Sequence, residues 1–158
     1  MIPSSLLAHL GHPVYLTQIL QRVAALTPES RARWGKMNVH QMMCHLADSF
    51  EVGLGHRTAS TAVSFLQRTI VKWGALYLPA RWPQGVPTRP EVEQGAGGTP
   101  PAEFESDRAR LVRRVEEFAK PGRDLDGLMH PTFGPLTEAE WMRWGYLHAD
   151  HHLRQFGA

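Results

Sequence analysis

The sequence predicts an all-α fold, most economically a four-helix bundle with an extra helix and a long irregular loop in its connections. Three observations predict it. Apolar residues recur at i, i+3 and i+4 spacing in five separate segments, no run alternates with period two for long enough to make a convincing strand, and helix start and stop signals bracket the periodic stretches. The 158 residues are read as one domain, 1–158, large enough to bury a core without disulfides and free of internal repeats.

The elements follow in order. Pro13 suits the first position of a helix, and Leu16, Ile19, Leu20, Val23 and Leu26 form its apolar stripe until Thr27-Pro28-Glu29-Ser30 interrupts it. Asn38 with Gln41 forms a capping box for a second helix, with Val39, Met42, Met43, Leu46 and Phe50 inward and Gly53 and Gly55 at its end. A third amphipathic pattern runs from 62 to 77 through Ala62, Leu66, Ile70, Trp73 and Tyr77. From Pro79 to Pro101 the periodicity stops. Six prolines and the run Gly95-Ala96-Gly97-Gly98 predict an irregular loop, of a length uncommon in compact domains unless functional or mobile. Ser106 is expected to cap a fourth helix with Leu111, Val112, Val115, Phe118 and Ala119 inward, stopped by Pro121-Gly122. A second irregular segment, 122–136, contains His130-Pro131-Thr132-Phe133-Gly134-Pro135. Thr137 with Glu140 is a capping box opening the last helix, which extends to about Phe156.

Composition narrows the function classes. The formal charge is only +2 and no basic stripe with interleaved aromatics occurs, which argues against nucleic acid as a partner. The most apolar stretch, 63–78, is interrupted by Arg68 and Lys72, so no membrane span is expected. A single cysteine, Cys44, and a start, Met1-Ile2-Pro3-Ser4-Ser5, without the features of a secretion signal lead to a cytoplasmic expectation.

Nine histidines stand in the chain, three of them between 148 and 152. At 100° per residue, Trp141, Trp144, His152 and Gln155 fall within about 40° of His148, and His151 lies about 60° away. The inward face of the last helix is therefore Trp, Trp, His, His, Gln, where a bundle helix normally carries Leu, Ile or Ala. Buried imidazoles need both ring nitrogens satisfied, and a divalent ion satisfies one nitrogen on each. Two histidines at i, i+4 supply two ligands from one helical face. His45, at the border of the second helix's apolar face, is the best third, with His40 ranked behind it. Three histidines leave coordination positions open, as in catalytic rather than closed structural sites. Zinc is the first choice of ion, with nickel, iron or copper compatible with the same donors. Trp141, Trp144 and Gln155 are the candidate substrate contacts, and His151 a candidate proton relay. His130 is placed either as a cap of the last helix or near the site. Cys44, roughly opposite the core stripe, is expected as a surface or interface thiol rather than a nucleophile. His-Glu-x-x-His, paired Glu-x-x-His motifs, G-x-S-x-G, phosphate loops and dinucleotide fingerprints are all missing.

His45-Leu46 in the second helix, followed about a hundred residues later by His148-x-x-x-His152-x-x-Gln155, resembles the DinB/YfiT-like superfamily. His130-Pro-x-Phe-Gly-Pro, Glu140-Trp141 and His148-Ala-Asp-His151-His152-Leu-Arg-Gln-Phe-Gly157 resemble more particularly a branch of it known only as a domain of unknown function. The resemblance spans nearly the whole chain, but no motif in the 79–101 loop contributes to it. It implies a four-helix bundle, typically dimeric, holding a divalent ion through His45, His148 and His152. Characterised relatives include metal-dependent transferases and isomerases that use low-molecular-weight thiols such as bacillithiol, mycothiol or glutathione.

The leading expectation is therefore a metal-dependent transferase of the thiol-S-transferase type acting on a small molecule. Two alternatives stay open: a metal-dependent hydrolase or isomerase using bound water, and a non-enzymatic, metal-stabilised binding or stress-response protein. The 62–77 helix, with Trp73, offers an apolar face for a homodimer.

Overall fold

The computed structural model describes residues 7–61 and 63–158; Ala62 of the third stripe and the Met1–Ser5 start lie outside the described residues. The fold is mostly helical. Helix α1 spans Pro13–Ala24, α2 Val39–Gly53, α3 Lys72–Tyr77, α4 Phe104–Ala119 and α5 Glu138–Gln155, with strands β1 (Leu128–His130) and β2 (Gly134–Leu136) between α4 and α5. The two capping boxes form as expected. The Asn38 side chain accepts from Gln41 N and the Thr137 side chain from Glu140 N, while Gln41 and Glu140 reach back to the cap N–H groups. Among the described residues no helix is long and apolar enough to cross a membrane.

Three local expectations are corrected. The fourth helix begins two residues before Ser106, because the Glu103 carboxylate caps it by accepting from Glu105 N and Ser106 N. The 122–136 segment is not wholly irregular. Leu128, Met129 and His130 pair antiparallel with Leu136, Pro135 and Gly134, in a hairpin too short to leave a period-two signal and carrying a proline in its second strand. The third pattern is helical from 65 to 77 but is interrupted by a π-helical stretch over Gln67–Val71, so that α3 itself has only six residues. Its stripe faces outward: Leu66, Ile70 and Trp73 are exposed, and Leu76 is the residue this helix buries.

Helix α2 packs against α4 and α5, and α1 against the same two helices. Where they meet, Phe50, Phe118, Trp141 and Trp144 form an aromatic block with edge-to-face contacts, the Phe50–Phe118 centroids 5.2 Å apart and the Trp141–Trp144 centroids 5.5 Å apart. The block leaves no room for a side chain at Gly145. A Cβ there would meet Leu10 Cδ1 at 2.8 Å and Phe118 Cε1 at 2.9 Å. Gly145→Ala is expected to cost roughly 1–3 kcal/mol through overpacking, a fall in melting temperature of about 3–10 °C. An unchanged melting curve would mean that the aromatic block yields.

Candidate metal centre

His45 projects from the middle of α2, and His148 and His152 project one turn apart from α5. The fold brings the three together, with candidate ligand nitrogens all within 4.8 Å of one another. Ring centroids are 5.4 Å apart for His45 and His148, 4.8 Å for His45 and His152, and 4.9 Å for His148 and His152.

The hydrogen bonds around the cluster determine which nitrogens face inward. His45 Nδ1 lies 2.8 Å from Val92 O, and a carbonyl only accepts, so Nδ1 carries the proton and Nε2 presents its lone pair. His152 Nδ1 lies 2.9 Å from Gln155 Oε1, while Gln155 Nε2 donates to Trp34 O at 2.8 Å. The second bond orients the amide, so His152 too donates from Nδ1 and keeps Nε2 free. Gly35 makes room for this arrangement: its φ is +82°, and a Cβ on it would meet Gln155 Nε2 at 2.5 Å. His148 Nδ1 is buried and has no hydrogen-bond partner among the described residues. An orphaned, buried imidazole nitrogen in the same cluster as two oriented lone pairs fits a bound cation.

Electrostatics agree. Burial lowers the His45 pKa, and burial together with the neighbouring histidines holds His148 and His152 well below the ordinary range. All three are neutral at pH 7, the form in which imidazole ligates.

The Val92 carbonyl is held in place from a distance. Val92 ends a 3₁₀ turn, Pro90–Val92, inside the long loop. Fully buried Asp48, one turn beyond His45 on α2, accepts from Thr99 N and Thr99 Oγ1, both at 2.7 Å, and pairs with Arg57 at 3.0 Å and Arg110 at 2.5 Å. Arg57 also donates to Glu91 O and Gly97 O. The 79–101 loop is thus clamped to the helix that carries His45.

Above the cluster lies a cavity of about 530 Å³. Trp141, Trp144, Gln155 and His151 all line it. Trp144 stacks at a tilt 5.1 Å from His148, whereas Trp141 is nearly wholly buried in the aromatic block and Gln155 spends both ends of its amide inside the protein. His151 stands at the edge of the cluster, 5.1 Å from His152 by ring centroids and outside the ligand group, with its pKa lowered by burial and Arg154. Sequence reasoning missed Trp34 and Trp82, which flank His151 at 5.8 and 6.1 Å. Large aromatics in otherwise polar, Gly- and Pro-rich loops were the available signal.

One further sequence expectation changes, and the second-ranked His40 falls outside the cluster. Cys44 is fully buried, because α2 is enclosed by α4 as well as α5 and the side opposite its core stripe is not solvent. Burial and Asp107 push its thiol up to about 12, which keeps it in the protonated form. His40 turns away from the cluster and bonds Asp107 Oδ2 at 2.6 Å. His40, Cys44 and Asp107 gather closely, but Asp107 already accepts from His40 and Ala102 N, and the group reads as a satisfied clamp between α2 and α4.

Fold and cluster together define a mostly helical protein with three converging imidazoles at the floor of an aromatic-walled cavity. The family model described as a protein of unknown function (DUF1569) matches residues 12–158, and the chain belongs to that family. Neither the curated proteins nor the solved structures contain a match to it.

Proposed function

We propose that the protein is a metal-dependent transferase of the thiol-S-transferase type, a DinB/YfiT-like bundle of α1, α2, α4 and α5 that holds a divalent ion through His45, His148 and His152. Zinc is the first candidate, with nickel or iron as alternatives. The observation that carries the reading is the convergence of three neutral imidazoles, two with oriented lone pairs and one with an orphaned buried nitrogen, beneath a cavity sized for a small molecule.

When bound, a divalent ion supplies charge that favours the ionised form of a thiol. The remaining work falls to the chain. Val92 O and Gln155 Oε1 orient His45 and His152; Trp34, Trp82 and Trp144 keep water from the floor of the cavity and offer flat apolar walls to an electrophile. His151, neutral and at the cavity edge, takes up the proton that the thiol releases. A homodimer paired through the exposed Phe65, Ile70 and Trp73 face, in the cytoplasm, belongs to the same reading.

The test is turnover of 1-chloro-2,4-dinitrobenzene with glutathione, bacillithiol or mycothiol by zinc-loaded protein. Thioether formation should need both metal and thiol. In His148→Ala it should fall about a hundredfold or more with the helical spectrum kept, since loss of a ligand exceeds the 10–100-fold typical of its supporting partners. Full activity in that variant ends the proposal, and product formed without thiol transfers it to a hydrolase.

A further inference from the structure

Among the described residues, those that line the cavity include no carboxylate, yet three cations, Lys36, Arg81 and Arg89, reach it. Lys36 and Arg81 are exposed at the rim. Arg89 is half-buried, and its Nη2 donates to Pro131 O at 2.7 Å, which ties the guanidinium to the turn that follows His130.

His130 is 6% exposed, enclosed enough that each ring nitrogen must be accounted for. Its Nδ1 accepts from Thr132 N at 3.0 Å and from Phe133 N at 3.2 Å. Two N–H groups can point only at a lone pair, so the ring's proton sits on Nε2. The ring is fixed in place, stacked on Phe133 at 4.8 Å and edge-on to Trp144 at 5.0 Å. Nε2 makes no hydrogen bond to a described residue and is not among the nitrogens sealed in the core, while the ring lines the cavity. The hairpin thus presents an N–H donor of fixed tautomer to a cavity whose described lining has no acids, with the Arg89 guanidinium tied to the following residue and close enough to act on the ring electrostatically. A fixed donor and a guanidinium that line one cavity complement an oxyanion.

We propose that His130 Nε2–H and Arg89 form an anion-binding corner of the cavity that takes the carboxylate of a small organic acid, with the rest of that molecule lying against Trp82 and Trp144. The corner deepens the proposed transferase reading, on which it rests for the role of substrate, by naming that substrate's chemical class. A carboxylate fits better than a phosphate. The corner offers one guanidinium and one ring N–H among largely aromatic walls, too few donors to desolvate a dianion.

The experiment titrates phenylacetate and its neutral counterpart phenylacetamide into metal-free and zinc-loaded protein, followed by quenching of tryptophan fluorescence. Phenylacetate should bind about tenfold tighter or more in both forms, as a charge-assisted pair requires. Arg89→Gln should abolish the preference, whereas Arg81→Gln at the rim should keep it. His130→Phe should weaken phenylacetate alone, with circular dichroism as the check on folding. Should that variant not fold, the ring ¹⁵N shift of His130 in the wild-type protein serves instead, and it should move on addition of phenylacetate. Equal binding of the two compounds, a preference unchanged in Arg89→Gln, or a preference that exists only with zinc would each overturn the corner, the last by assigning the carboxylate to the ion. A preference that persists in protein able neither to take up metal nor to turn over thiol keeps the corner and removes the transferase. Metal uptake and turnover without any preference do the reverse.

Discussion

Alanine in place of any one of His45, His148 or His152 is expected to lower zinc affinity by about a hundredfold or more with helix content retained. The three imidazoles come from two helices whose packing does not depend on them: the aromatic block beneath, built on Phe50, Phe118, Trp141 and Trp144, holds α2 against α5. Removing one ring therefore leaves the frame standing with two ligands, too few to hold an ion well. Gln155→Leu should lie between wild type and these variants, with a loss of roughly 10–100-fold, because it removes the acceptor that directs His152 Nε2 inward. Elemental mass spectrometry on untagged protein, with competition against a chromophoric chelator, reads both effects. One ion per chain in the wild type, graded through Gln155→Leu and lost in the histidine variants, supports the centre. No stoichiometric metal after reconstitution would reduce the histidine face to a polar core, and the transferase proposal would be withdrawn with it.

Metal-free protein is expected to lose stability steeply on mild acidification. Burial holds His45, His130, His148 and His152 below the ordinary histidine range, His130 at about 3. The sign follows from proton counting. Above pH 6.5 these rings are neutral in both folded and unfolded chains and the linkage vanishes. Below it the unfolded chain binds protons that the folded chain refuses, so stability falls as pH falls until each folded pKa is reached. A ring whose folded pKa lies well below that window contributes up to about 1.4 kcal/mol per pH unit, so the cluster together gives a fall on the order of a few kcal/mol per unit, or roughly 5–15 °C in melting temperature. Glu51 and Asp107 act lower. Burial alone would raise both, but Arg110 and Arg114 at Glu51, and Ala102 N–H and His40 at Asp107, lower them further, so their contribution is lost only below about pH 4. Melting curves of metal-free protein from pH 7.5 to 5 should show the fall, and saturating zinc should delay it, since the ion competes with protons for the same nitrogens. A melting temperature flat across that range would mean that the rings are not held neutral.

The parts of this molecule legible in the sequence are those that depend on near neighbours along the chain. Asn38 with Gln41 and Thr137 with Glu140 cap helices because the bonded groups lie three residues apart. His148 and His152 share a face for the same kind of reason. The exposed stripe through Leu66, Ile70 and Trp73 shows the limit: helical spacing states that a face exists, not what covers it. Cys44 shows it again, since a position opposite one packing partner can lie against another.

By itself the sequence determined the helices with strong periodicity, their capped starts and the histidine pair on α5, because a helix couples residues three and four apart through local geometry. Only the tertiary structure decided that Val92 O would orient His45, that Trp34 and Trp82 would wall the cavity, and that Arg89 would be tied to the residue after His130. Those contacts join groups that lie in different elements and are often distant in the chain, and their positions follow from how the long loop is clamped to α2 through Asp48 and Thr99. Such a clamp leaves no period in the sequence, since it rests on charge and hydrogen bonding between single residues rather than on a repeating face.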